Sequence, residues 1–153
     1  MFTNPYECPA CKIDPSSHSL KKVIERYNVE DKCNVEYYYT CPAKAKLYYD
    51  SEGILNHYDG VLREIPNENK WVWIFDSLDF SWRHFMQIQV GIGLATLIST
   101  KHSDKLKKII IINPNYYTSL TYNVVSYFLS EYVNSIIEFD YETKKIKHLI
   151  SKI

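Results

Sequence analysis

Four cysteines lie in the first 42 residues of the chain, and two of them, Cys8 and Cys11, are separated by only two residues. Thiolates at this spacing can hold one zinc ion from a tight turn, and a tetrahedral structural site needs four ligands. Cys33 and Cys41 are the candidates for the two remaining positions, with His18 as a substitute. The pattern therefore predicts a structural zinc ion, and the alternative is four thiols without a metal. A redox role is disfavoured, because a redox-active pair lies at a helix N-terminus after a strand, and no strand is predicted before Cys8.

A second group of polar side chains, Asp76, Asp79 and His84, follows a predicted strand. Ligands of α/β proteins commonly bind beyond the carboxyl ends of strands. The same segment can instead start a helix, because Asp79 or Ser81 can accept hydrogen bonds from its first free N–H groups. We favour helix capping beside a surface histidine over a binding site. The chain contains neither a G-x-S-x-G motif nor a phosphate-binding loop, so we name no catalytic residue and expect a protein that is not an enzyme.

The bulk composition restricts the class of partner. The chain has 153 residues with 18 basic and 18 acidic side chains, so its net charge is zero. This balance disfavours a nucleic-acid-binding protein, whose phosphate contacts require a basic excess. We identify no signal peptide and no apolar run long enough for a membrane span, and we therefore expect a cytoplasmic protein.

Strands and helices alternate along the chain, which predicts an α/β fold with a mostly parallel sheet and helices packed on it. The strand at 71–76 is apolar on both faces, as expected for a strand that is covered on both sides. The all-isoleucine run 109–112 is predicted to be the central strand, and Lys44 to Tyr58 is predicted to form a hairpin. The predicted strands are 35–40, 45–49, 71–76, 109–112 and 134–139, and the predicted helices are 19–27, 81–100, 120–129 and 141–153.

Two of the predicted helices have unusual surfaces. The helix 81–100 contains Gly91 and Gly93, each of which weakens a helix by about 1 kcal/mol, and this indicates close packing on a neighbour. The helix 120–129 is apolar or aromatic nearly all round. Such a helix is either buried on all sides or borders an apolar cavity. In either case, Thr118 or Ser119 is the expected cap at the start of this helix.

The order of these pieces resembles the CRAL-TRIO lipid-binding domain. The residues that carry the resemblance are Asp76 at the end of a strand, the helix from Ser81, the turn 103–106, Ile111-Ile112-Asn113, Phe128-Leu129 and the strand 135–137. The resemblance implies a small N-terminal cysteine-bearing extension at 1–42 and a CRAL-TRIO-like domain at 43–153. It also implies a small hydrophobic or lipid ligand that is held between the sheet and an aromatic gate helix. On this basis the predicted ligand-binding residues are Trp73, Phe75, Phe85, Ile92, Tyr122 and Phe128.

The alternative for these side chains is a core without a cavity, in which each ring simply packs against its neighbours. The chain also stops near the point where the shorter BCH variant of the family stops, and that variant resembles a scaffold for a protein partner. The lysine-rich run 101–108 could contact anionic membrane headgroups, or it could be an ordinary solvated connection.

Overall fold

The computed structural model describes residues 20–44 and 51–152 of the chain. Five strands form one sheet in the spatial order β1-β2-β3-β4-β5. The first two strands are antiparallel, and every later neighbouring pair is parallel. The elements are β1 (Lys21–Asn28), β2 (Cys33–Thr40), α1 (Ser51–Arg63), β3 (Lys70–Asp76), α2 (Trp82–Phe85), α3 (Ile88–Leu97), a π-helical turn (Ile98–His102), β4 (Leu106–Ile112), α4 (Tyr116–Val125), a 3-10 turn (Ser126–Phe128), α5 (Glu131–Ser135), β5 (Ile137–Asp140) and α6 (Ile146–Lys152).

Each face of the sheet packs against its own apolar cluster. Strand β3 is therefore covered on both sides, as predicted. Trp71, Trp73 and Phe75 point into the larger cluster, whereas Val72 and Ile74 point into the smaller one. Side chains of α1 and α3 cover the larger cluster, and α6 covers the smaller one with its buried Leu149 and its half-buried Ile146. The α/β class and the mostly parallel sheet are therefore confirmed.

Three local predictions were wrong. Residues 21–27 of the segment predicted as helix 19–27 belong to strand β1, because seven residue pairs with β2 outweigh the helical spacing of its apolar residues. The segment predicted as a hairpin is helical from Ser51 onward, and the predicted strand 45–49 lies outside the described residues. The isoleucine strand β4 is internal but not central, because β3 occupies the middle of the sheet.

The strand pairing also bears on the proposed boundary at residue 42. Strand β2 pairs in parallel with β3 from Val35 against Lys70 to Thr40 against Phe75. Leu20 and Tyr38 belong to the larger apolar cluster. The described part of 1–42 is therefore an integral part of the sheet and its core.

Helix α4 begins earlier than predicted. Asn115, rather than Thr118 or Ser119, is its N-cap, and the Asn115 side chain accepts hydrogen bonds from the backbone N–H groups of Tyr117 and Thr118. The helix gives way to the 3-10 turn at Ser126, so that the predicted helix 120–129 is regular only as far as Val125.

Candidate ligand cavity

A cavity of about 140 Å³ lies between the sheet and helices α3 and α4. Nearly all of its wall is apolar, and it is partly open to solvent. The sheet side of the wall comes from β3, β4 and β5, and the helix side comes from the segment between β3 and α3 and from α3, α4 and Leu129. The residues that line the cavity include Trp73, Phe75, Phe80, His84, Ile88, Gly91, Leu94, Ala95, Thr118, Thr121, Tyr122, Val125 and Leu129.

A row of aromatic rings runs along the cavity wall from the middle of β3 to α2. The Trp73 ring lies 6.0 Å from the Phe75 ring, and the Phe75 ring lies 6.2 Å from that of Phe80. Phe80 in turn stacks on His84 with the ring centroids 5.2 Å apart. Edge-to-face and stacked pairs at these separations are attractive beyond their area burial, so the rings form a continuous apolar wall.

Glycines in α3 allow its neighbours to approach closely, as their positions within a predicted helix indicated. A Cβ atom on Gly91 would lie 3.2 Å from Val125 Cγ1 of α4, and one on Gly93 would lie 2.9 Å from Leu55 Cδ1 of α1. Both distances are shorter than ordinary contacts between carbon atoms. Gly91 also lines the cavity, so the lack of a side chain there contributes to the open volume.

Three of the six predicted ligand-binding residues line this cavity, namely Trp73, Phe75 and Tyr122. The Trp73 indole N–H donates to Thr40 Oγ1 at 2.9 Å, and the Tyr122 hydroxyl donates to Asn134 Oδ1 at 2.8 Å. Because their polar atoms are paired with the protein, these rings offer mainly apolar surface to the cavity.

The other three predicted residues lie away from the cavity wall. Phe85 and Ile92 are half-buried on α2 and α3, and Phe128 is 45% exposed in the 3-10 turn. Phe128 lies off the cavity wall because the α-helix changes to a 3-10 turn at Ser126. A 3-10 turn advances by three residues per turn instead of 3.6, which rotates this ring off the face that α4 presents to the sheet.

Of the lining residues on α4 and just after it, the sequence interpretation had predicted only Tyr122. Thr118, Thr121, Tyr122, Val125 and Leu129 all border the cavity, and they recur at intervals of one, three and four. That spacing marks one face of a helix. This spacing is present in the sequence, but two of the five residues are threonines, which are not counted as apolar. The whole face is also included only when the helix begins at Tyr116.

His84 contributes a polar group to the cavity wall and is not the surface residue that we predicted. Its Nδ1 accepts a hydrogen bond from the Ser81 backbone N–H at 3.0 Å, and Ser81 is the N-cap of α2 as predicted. Burial lowers the pKa of His84 below its ordinary value. The ring is therefore neutral near pH 7, and because Nδ1 is an acceptor, Nε2 carries the proton.

Asp76 does not join His84 in a common site, and Asp79 is exposed. Asp76 is 3% exposed, and its carboxylate accepts from Tyr39 Oη at 2.5 Å, Asn113 Nδ2 at 2.9 Å and the Leu78 N–H at 3.0 Å. It follows Phe75 in β3 and thus points to the opposite face of the sheet from the cavity. These bonds join the carboxyl ends of three neighbouring strands, which is a structural role.

The predicted four-cysteine zinc site requires a correction. Cys33 begins β2, and Cys41 directly follows its last residue. They are eight steps of extended chain apart, roughly 26 Å, whereas Zn–S bonds of about 2.3 Å bring all the sulfur atoms of one site close together. One zinc ion therefore cannot bind both. Cys8, Cys11 and His18 lie outside the described residues, and no metal-binding cluster occurs among the residues that the structure describes.

The lysine run 101–108 takes part in contacts within the molecule. Lys107 pairs with Asp31 at 2.7 Å, and Lys108 pairs with Glu138. These pairs favour the ordinary solvated connection, and contact with membrane headgroups stays a prediction. Within the described residues, no helix is both long enough and apolar enough to cross a membrane.

The comparison with protein families agrees with this geometry. The model of the CRAL/TRIO domain matches residues 48–153. The chain belongs to the CRAL/TRIO family. The family match starts at residue 48, whereas the sheet of this CRAL/TRIO protein already includes strands from residue 21 onward. Membership suggests that the protein binds a lipid or another small hydrophobic ligand.

A comparison with solved structures supports the same fold. The crystal structure of Sfh5 matches with a TM-score of 0.57 at 11% sequence identity, over 79% of this chain and 48% of that chain. The likeness at this identity is one of fold, and this CRAL/TRIO chain spans about half of the Sfh5 chain. No curated protein sequence matches the present chain significantly.

Proposed function

We propose that this protein is a non-enzymatic carrier that holds a small apolar or lipid ligand in the cavity between β3–β5 and helices α3 and α4. The observation that carries the proposal is an apolar cavity of about 140 Å³ bordered by Trp73, Phe75 and Tyr122. Close-packed cores contain few voids larger than a water molecule. An apolar void of this size is therefore a costly feature for a protein that does not use it.

The size of the cavity indicates how much of a ligand it accepts. Its volume of about 140 Å³ is close to that of the engineered apolar cavity of roughly 150 Å³ that binds benzene. The cavity thus accommodates one ring, an isoprenoid unit or the end of an acyl chain, and its open side lets the remainder of a longer molecule project outward. Burial of this apolar surface contributes about 25 cal/mol per Å².

The alternative function is a scaffold that binds a protein partner and has no ligand. It predicts a filled core, and the cavity favours the carrier over it. The observation in its favour is a group of exposed aromatic side chains near the 3-10 turn, where Tyr127 is 87% exposed and Tyr132 is 50% exposed.

Ala95→Leu tests whether the cavity is the binding site. Ala95 is 6% exposed and lines the cavity, so a leucine there fills the space that a ligand would occupy. We expect the affinity for a ring-sized apolar probe such as toluene, measured by NMR titration, to fall at least about tenfold, which corresponds to 1.4 kcal/mol. Gln89→Leu is the matched control, because it adds a leucine to an exposed position of the same helix.

Native mass spectrometry of the purified protein tests for a resident ligand. We expect a bound small molecule that is recovered in an organic extract and is lost in the Ala95→Leu variant. A clean unliganded mass from several expression hosts, together with no toluene binding, would contradict the carrier and favour the scaffold.

A further inference from the structure

The first turn of α2 is capped by a histidine. His84 is the third residue after the N-cap Ser81, and at this position a capping box has a Glu or Gln whose side chain accepts from the N-cap N–H. Here the acceptor is His84 Nδ1, which lies 3.0 Å from the Ser81 backbone nitrogen and 3.1 Å from Ser81 Oγ. A proton on Nδ1 turns this acceptor into a donor. The bond to the Ser81 N–H therefore exists only while His84 is neutral.

The same imidazole ring forms part of the cavity wall. It stacks on Phe80, with the ring centroids 5.2 Å apart, and both residues line the cavity. Phe80 is fixed independently of α2, because its N–H donates to Ser77 O and its carbonyl accepts from Asn115 Nδ2, both at 2.9 Å. Helix α2, in contrast, has no fully buried residue. Elements with little buried surface open at a low free-energy cost, so the position of α2 depends on the contacts of His84.

The cavity wall offers no charge to balance a proton on His84. Among the described residues, no aspartate, glutamate, lysine or arginine lines the cavity. Tyr122 is the other titratable residue of the described wall, and its hydroxyl donates to Asn134. An unpaired cation beside apolar side chains is strongly unfavourable, and burial accordingly lowers the pKa of His84.

The segments around the wall do not supply a counter-charge either. The charged side chains of β3, β4 and β5 point to the opposite face of the sheet or lie at its other end. The ionisable residues on the neighbouring loops, on α2 and at the start of α4 are Cys41, Lys44, Asp79, Arg83, Tyr116 and Tyr117. Of these, only Cys41 and Tyr117 are buried or half-buried, and neither type of side chain is charged near pH 7.

We propose that protonation of His84 weakens ligand binding, because it breaks the cap of α2 and removes the imidazole ring from the cavity wall. This inference rests on the proposed carrier function and assigns a regulation to that site: the ligand is held near neutral pH and released in acid. The Ser81 hydroxyl can rotate to accept from a protonated ring, but the Ser81 backbone N–H cannot. Rotation of the half-buried ring into solvent relieves this clash of donors and hydrates the charge.

The pH window follows from the direction of the pKa shift. The pKa of His84 in the folded protein lies below the ordinary value of 6.5. The closed arrangement is therefore fully favoured above about pH 6.5 and is lost as the pH falls through the folded-state pKa. Because the bound state excludes the proton, one linked proton weakens binding by at most about tenfold per pH unit.

Toluene titrations of the full chain at pH 7.5 and pH 5.0 test the proposal, since toluene itself does not titrate. We expect the affinity of the wild-type protein to fall roughly three- to tenfold at pH 5.0. His84→Gln supplies an acceptor that cannot be protonated in this range, so its affinities at the two pH values should agree within about 1.5-fold. His148→Gln is the matched control, because His148 is exposed on α6 at the opposite face of the sheet, and this variant should keep the wild-type ratio.

An NMR measurement on the wild-type protein provides a second readout that needs no variant. We expect the Ser81 amide resonance to titrate with the same midpoint as the His84 ring, below pH 6.5, and saturation with toluene to move that midpoint to lower pH. In His84→Gln the Ser81 amide should not titrate over this range.

The outcomes separate this inference from the proposed function. An equal loss of affinity in His84→Gln and wild type, or no loss in wild type, overturns the role of His84, whereas toluene binding at pH 7.5 still supports the carrier. A Ser81 amide that does not follow the titration of His84, or a midpoint that toluene leaves unchanged, also overturns it. Failure of toluene to bind at either pH overturns the carrier and this inference together.

Discussion

Glu36 is a single buried charge whose neighbours determine its contribution to stability. It is 3% exposed in β2, and its carboxylate accepts from Tyr38 Oη and Asn69 Nδ2, both at 2.8 Å, with Lys22 Nζ at 3.3 Å. Burial alone would raise the pKa of Glu36, but the hydrogen bonds from Asn69, Tyr38 and Lys22 outweigh it and hold the pKa below its ordinary value. The sequence did not indicate this site, because its partners come from three different segments of the chain.

Glu36→Gln should therefore destabilise the protein in a pH-dependent way. The folded-state pKa lies below the unfolded-state value of about 4.5, so the unfolded chain binds more protons in acid. The contribution of Glu36 is complete above that value and is lost as the pH falls through the folded-state pKa. At pH 7 we expect the free energy of unfolding in urea to decrease by about 1.5–3 kcal/mol, as for hydrogen bonds to a charged group.

Glu25→Gln is the control for this comparison. Its side chain is 35% exposed and pairs with Lys22 at the surface, so its removal should cost less than about 1 kcal/mol. The difference between wild type and Glu36→Gln should shrink below about pH 4.5. Unfolding curves that keep the same separation from pH 7 to pH 3.5 would show that the carboxylate is not held ionised by its neighbours.

At the scale of the elements, the start of α4 decides which side chains reach the cavity. Asn115 caps the helix through its Oδ1, which accepts from the Tyr117 and Thr118 N–H groups at 2.9 and 3.1 Å. Its Nδ2 donates to Phe80 O at 2.9 Å, which joins the helix to the segment after β3. Asparagine, serine and threonine all cap helices, and the sequence contains all three types between 115 and 119. The sequence therefore could not rank these caps, and the shifted start hid the cavity-facing side of the helix.

Asn115→Ala should lower the free energy of unfolding by about 1–2 kcal/mol, because two N–H groups at the helix start lose their acceptor. Asn115→Asp keeps the acceptor and loses only the bond to Phe80, so its effect should be smaller than that of the alanine. Ser119→Ala removes a residue that was predicted as a cap but is exposed, and it should be neutral within about 0.5 kcal/mol. Urea denaturation of the three variants gives the ranking. A loss for Ser119→Ala as large as that for Asn115→Ala would mean that the helix starts where the sequence placed it.

For the whole molecule, the part of the fold that was predictable from sequence is the part with local signals. The run from Trp71 to Asp76 and the isoleucine run of β4 have no polar face, and long helical segments separate them, so the parallel core of the sheet could be inferred. The pairing of β2 with β3 could not be inferred from the sequence, because α1 lies between these two strands along the chain. Without that pairing, the cysteines and prolines of the first 42 residues indicate a separate extension. The cavity depends on the same long-range packing, and only half of its predicted residues line it.

Removal of residues 1–42 tests whether the sheet is one cooperative unit. The truncation deletes β1 and β2, and with them the Tyr38 ring that lies edge-on against Trp71 and the Thr40 hydroxyl that accepts from the Trp73 indole. It also leaves the polar groups of β3 unpaired along one edge and exposes the largest rings of the core. Buried donors without acceptors and uncovered aromatic surface are both costly. We therefore expect residues 43–153 to lose the cooperative urea transition and to bind a hydrophobic dye.

The tryptophan fluorescence of both chains is best measured in the Trp82→Phe background, because Trp82 is already 56% exposed and its emission would mask that of Trp71 and Trp73. If residues 43–153 unfolded cooperatively at the same urea concentration as the full chain, the first 42 residues would be an independent extension, and the sheet would begin at β3.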